Sequence, residues 1–161
     1  MKKRIFCFML TLALLISIVP AQSAFAASKI TAKAINKAPL SEVSSEKQAM
    51  LSKKGFKSPK KGQIVFYSYD SMGVWSNVQV QIAKDKKFKK SVKNYLQTDR
   101  SKKFTCVSNS KATEMNDTLK CTIKGLKKGT YYVRMRNYTH TGTGIVESRT
   151  KWSKTYKVKV K

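Results

Sequence analysis

Apolar and polar residues alternate with a period of two in several short segments, the spacing of strands that bury one face. The alternation is clearest near the C-terminus. Tyr131, Val133 and Met135 fall on one side of their segment and Tyr132, Arg134, Arg136 and Tyr138 on the other. Further on, Tyr156, Val158 and Val160 oppose Lys157, Lys159 and Lys161. Residues 77–83 set Val78, Val80 and Ile82 against Gln79 and Gln81, and Leu119, Cys121 and Ile123 form another inward row. The run QIVFYSY at 63–69, bounded by Gly62 and by Asp70-Ser71-Met72-Gly73, is β-branched and aromatic enough for a strand.

Weaker patterns complete the set. Residues 29–35 predict a short first strand, with Ile30 and Ala32 alternating against Thr31 and Lys33. Residues 41–55 predict a short helix, because Ser41 can cap it, Val43, Met50 and Leu51 recur at helical spacing, and Gly55 stops it. A Lys- and Pro-containing loop follows at 57–62. The charged corner from Lys84 has one apolar anchor, Phe88, and 95–107 continues as an edge strand whose lysines discourage pairing with another chain. About seven short strands separated by turn signals predict an all-β fold, an antiparallel seven-stranded β-sandwich with a short helical insertion after the first strand.

The N-terminus bears on compartment. Lys2, Lys3 and Arg4 precede an apolar run at 5–19, and Ala24-Phe25-Ala26 offers the small residues of a signal-peptidase site. The run is shorter than the roughly 20 residues that span a bilayer. Residues 1–26 are therefore expected to be a signal peptide, 27–62 the first strand with its helix and loop insertion, and 63–161 the sandwich core. The expected location is extracellular, with or without cell-wall association, and no transmembrane segment remains after cleavage. Cys7 lies before the bulk of the apolar run, which does not fit a lipid-attachment site.

Charge narrows the class of partner. The chain has 34 Lys and Arg against 8 Asp and Glu, a net +26, and cleavage after Ala26 removes only three of the basic residues. Such a surface draws polyanions at low salt. The partners expected are anionic cell-wall polymers or glycans, or an extracellular protein, with nucleic acid bound only non-specifically. Lysine greatly outnumbers arginine, so generic solvation of the surface competes with a binding role.

Two cysteines lie beyond the leader, Cys106 and Cys121. In an exported chain such a pair favours a disulfide, and a closed zinc site would need about four ligands where His140 is the one histidine. Two buried thiols in neighbouring strands are the alternative.

From about residue 60 to 161 the chain resembles a fibronectin type III domain of the secreted bacterial kind. The matching pieces are VQVQIAKDKKFKK at 78–90, LKCTIKGLKKGTYYVRMRNY at 119–138 and KWSKTYKVKV at 151–160. The resemblance implies two sheets, with the strands around Lys29, Gln63 and Leu119 in one and those around Val78, Tyr95, Tyr131 and Tyr156 in the other. It also puts Tyr131 in the tyrosine-corner place beside Leu126, and Trp152 at the opening of the last strand. The second strand lacks the family's usual tryptophan, and Tyr67 or Phe66 fills that space.

Candidate chemistry is sparse. The eight acids are scattered, there is no glycine-rich phosphate loop, and His140 has no GxSxG element near it. The expectation is a protein that is not an enzyme, with no catalytic, cofactor or metal site. Arg134, Arg136 and Trp152 form a candidate cation-π ladder, and His140, Thr141, Thr143 and Arg149 belong to a candidate recognition loop between the last two strands. The expected function is a secreted binding or adhesion module. The alternative is a secreted cationic effector, inhibitor or toxin-like, acting on a protein or membrane target.

Overall fold

The computed structural model describes residues 28–42, 48–68, 76–99, 101–113 and 118–161. The expected signal peptide lies outside them. Two antiparallel sheets face each other across an apolar core. The smaller sheet has three strands in the order β1 (Ile64–Ser68), β5 (Leu119–Ile123), β4 (Phe104–Ser108). The larger runs β3 (Lys93–Leu96), β2 (Ser76–Ala83), β6 (Gly129–His140), β7 (Val146–Arg149), and β8 (Tyr156–Val160) also pairs with β6.

The alternation read from the sequence places the core. Val78, Val80 and Ile82 of β2, Tyr131, Val133 and Met135 of β6, and Val158 and Val160 of β8 are buried against Ile64, Phe66 and Ile123 of the smaller sheet. Tyr131 reaches the end of this core and its hydroxyl donates to the Lys127 carbonyl at 2.9 Å, which ties β6 to the turn before it.

Five expectations require correction. Residues 29–35 do not form a strand: Ala32–Lys37 is a helix, α1. The Thr31 hydroxyl accepts the Ala34 N–H at 3.1 Å, an N-cap, and two alanines favour the helix over a strand with only two inward residues. Nor does this segment join the smaller sheet. That edge of β1 is lined instead by 51–57, where Lys57 and Val65 exchange backbone hydrogen bonds of 2.9 and 2.8 Å, and Phe56 enters the core 4.7 Å from Phe66. The helix expected at 41–55 is absent from its described residues, while 43–47 lie outside them. Ser52 N–H donates to the Tyr67 carbonyl and Met50 N–H to Asn137 Oδ1, so tertiary partners hold this stretch extended.

The edge strand expected at 95–107 is two strands in different sheets. A 3-10 turn at Gln97–Asp99 carries the chain from β3 across to β4, and Tyr95 and Phe104 meet from opposite sheets 5.9 Å apart. The loop expected between the last two strands contains β7, making eight strands among the described residues.

The larger sheet has a second covered face. Residues 28–41 lie over one end of its outward side, where Ile30 and Ile35 bury Leu96 and Tyr138 beside Val146. Ser41 N–H and the Pro39 carbonyl both bond the backbone of Arg149, closing part of the β7 edge.

Cys106 and Cys121 are directly opposite each other in the β4–β5 pair and form a disulfide, with Cα atoms 4.1 Å apart. It closes a 15-residue separation across a hairpin on the outer edge of the smaller sheet. A double Cys106→Ala, Cys121→Ala variant should lose roughly 3 kcal/mol in denaturant unfolding, the chain-entropy effect of that loop. Unchanged stability would mean that the hairpin is already held without the bond. No described helix is long and apolar enough to cross a membrane.

Candidate functional site

The outward face of the larger sheet carries the cation-π ladder. Gln79 and Gln81 of β2 stand opposite Arg136 and Arg134 of β6, so each guanidinium has an amide beside it. Arg134 donates through Nε at 2.9 Å and Nη2 at 2.6 Å to Gln81 Oε1. Arg136 donates through Nε to Gln79 Oε1 at 2.6 Å and through Nη2 to Asn36 Oδ1 of α1 at 2.5 Å. Both glutamines in turn donate to Asn94 Oδ1 of β3.

Aromatic rings close the stack. Trp152 has Arg134 at 4.6 Å and Arg136 at 4.3 Å from its ring centroid, and Arg134 also lies 4.1 Å from the Phe88 ring centroid. Trp152 is held there by an irregular link between β7 and β8. Thr150 and Ser153 each bond β6 twice, with backbone N–H groups donating to Asn137 and Met135 carbonyls and hydroxyls accepting the N–H groups of those same residues. Arg136 is only 2% exposed and its acceptors are amides rather than carboxylates. Burial first, then the positive charges of Arg149 and Arg134, pulls its pKa down to about 10. Burial likewise lowers that of Arg134.

The candidate recognition loop divides. Thr141 and Thr143 form the tip of the β6–β7 hairpin and bond to each other through their hydroxyls at 2.7 Å, while Thr141 Oγ1 also accepts the Ile145 N–H. His140 stands at the base of this turn, its Nδ1 2.7 Å from the Thr141 carbonyl. Arg149 is at the other end of β7, against 39–41, and its buried Nε finds no acceptor among the described residues. His140, Thr141 and Thr143 thus come together, and Arg149 does not join them.

A cleft of about 660 Å3 opens beside His140, walled by 28–30, Asn77, the 97–99 turn and the hairpin glycines. Two of its walls are committed to structure: Gln97 Oε1 accepts the Val78 N–H, and Thr98 bonds the Tyr138 hydroxyl at 2.9 Å. Asp99 is exposed at the rim, and no nucleophile is paired with a base there. Among the described residues no group of three or more His, Cys, Asp or Glu could hold a metal ion.

Compared with models of known protein families and with curated proteins, the chain matches none.

Five partners of the arginines on the outward face were not read as such from the sequence: Gln79 and Gln81, placed on that face but not paired with them, Phe88, read only as an apolar anchor, and Asn94 and Asn36. Two of these had a signal, since glutamines alternating on β2 opposite alternating arginines on β6 is a cross-strand pairing pattern. Asn36 had none, because the segment that carries it was expected in the other sheet.

Arg136→Lys keeps the charge but loses the planar fork that serves two acceptors and a ring at once, and should cost about 1–3 kcal/mol in urea unfolding. A loss within error would mean that the ladder adds nothing to stability. Burial pushes the Tyr138 hydroxyl up to about 12. Phenolate absorbance should therefore show a late-titrating tyrosine that disappears in Tyr138→Phe, and equal titration of both proteins would contradict its burial under residues 28–41.

Proposed function

We propose that this protein is an exported, non-catalytic binding module of the fibronectin type III kind, which holds anionic cell-surface polymers through its lysines. The carrying observation is a separation of the two kinds of cation. Every lysine among the described residues is exposed, whereas Arg134 and Arg136 are tied to amides and rings within the fold. Lysine ammonium groups on flexible stems suit a partner whose negative charge is repeated and loosely placed.

The fibronectin-like reading is supported by the three- and five-stranded sheets, the Tyr131 hydroxyl reaching back to the Lys127 carbonyl, and Trp152 just before the last strand. An exported location is supported by the leader pattern and fits the Cys106–Cys121 bond. Base-stacking recognition of nucleic acid is disfavoured, because the rings nearest the arginines are already occupied by them.

The test is binding of the protein from residue 27 onward to purified cell wall carrying anionic polymer. Affinity should be measurable at low salt and fall linearly on a log–log plot as salt rises. Absence of binding at low salt, or binding insensitive to salt, would overturn the reading.

A further inference from the structure

The lysines are not spread evenly over the sandwich. The registers of β2 with β6 and of β6 with β8 bring Ala83, Gly129 and Val160 to one end of the larger sheet, and Ile64 and Ile123 mark the same end of the smaller. The corners are stitched there, with Gly62 N–H donating to the Lys161 carbonyl and Leu126 N–H to the Gly62 carbonyl. The segments that meet at this end, 60–63, 84–92, 124–129 and 159–161, are all described and contain one acidic side chain, Asp85. The opposite end carries Asp99, Glu147 and His140.

Asp85 does more than offset one charge at this end; it builds the loop. Its carboxylate accepts the backbone N–H groups of Lys87, Lys89 and Lys90, the last at 2.6 Å, so the chain wraps round it as a compact loop. Those bonds hold its pKa below the ordinary value, so it stays ionised as the organising anion. Phe88 and Ser91 take left-handed backbone angles, φ 54° and 51°, which side-chain-bearing residues seldom adopt. The turn sends the Phe88 ring inward onto Arg134 and leaves Lys86, Lys87, Lys89 and Lys90 exposed. Lys84 lies over Tyr131, 3.6 Å from its ring centroid, and so pins the start of the loop.

Resting on the polyanion reading above, we infer that the Asp85-centred loop, with the 60–61 and 127–128 lysine pairs, is the docking end for an extended phosphodiester polymer such as poly(glycerol phosphate). Exposed ammonium groups gathered from several segments at one end match repeated phosphates on a flexible chain. A lipid surface fits less well, because the loop's one large apolar side chain is already packed on Arg134 and is not free to insert. Loop order matters because a preset array loses less freedom on binding than a floppy one.

The probe is poly(glycerol phosphate) in low salt, titrated calorimetrically against the protein from residue 27 onward. Asp85→Ala adds a unit of positive charge yet unties the loop, so the two effects have opposite signs. Affinity should fall several-fold; a rise or no change in a variant with unaltered melting would overturn the inference. If that variant does not fold, a matched pair of quadruple variants decides. Replacing Lys86, Lys87, Lys89 and Lys90 by Gln should weaken binding at least ten times more than replacing Lys33, Lys53, Lys111 and Lys120. Equal losses would leave a polyanion binder whose docking end is not this one. Failure of the unaltered protein to bind would remove the underlying reading as well. Phosphatidylglycerol vesicles at matched phosphate should bind more weakly, and equal or tighter binding would overturn the polymer assignment.

Discussion

Arg136 is a buried cation whose two acceptors are amide oxygens. Desolvating a guanidinium costs several kcal/mol unless its donors are met and its faces covered. The outward side of the larger sheet is arranged around that constraint. Gln79 takes Nε, Asn36 takes Nη2, and Trp152 lies against the planar face. Each of these fixes something larger: Asn36 ties α1 to the sheet, Trp152 ties the β7–β8 link, and Gln79 joins β2 to β3 through Asn94. The N-terminal segment thereby becomes a third layer over one end of a two-sheet fold, with Ile30 and Ile35 supplying its apolar contact.

The strands with strict alternation, β2, β6 and β8, were legible because a residue's side of the sheet depends only on parity. Their inward residues are the observed core, and the cysteine pair was legible from its separation and the leader-like pattern at the N-terminus. What failed were the segments too short in pattern to settle their element and those decided by contacts distant in sequence. Residues 29–35 have two inward apolar positions, too few to settle strand against helix, and the capping hydroxyl of Thr31 decided it locally. Residues 41–55 were read as helical from spacing, but in the described part the Ser52 and Met50 N–H groups are taken by Tyr67 and Asn137. The crossing at 97–99 joins two strands whose sequence reads as one run. In the candidate site, Arg134, Arg136 and Trp152 come together, while Arg149 lies apart from the hairpin tip because β7 occupies 146–149 of the expected loop.

The two cationic residue types divide their work according to their chemistry. Arginine's fork and flat face suit it to a desolvated position with several partners, and Arg134 and Arg136 occupy such positions. Lysine's single hydrated charge is left at the surface throughout the described chain. The one acid among the lysines of the 84–92 corner accepts backbone N–H groups, so its negative charge shapes the loop as well as lowering the local field.

The most direct measurement of this account is lysine-selective chemical labelling of the folded protein with and without bound poly(glycerol phosphate), read residue by residue by mass spectrometry. Protection concentrated on Lys86, Lys87, Lys89, Lys90, Lys127 and Lys128, with Lys33, Lys37 and Lys53 labelled as before, is the predicted result. Protection spread evenly over all lysines, or centred on the cleft beside His140, would contradict it.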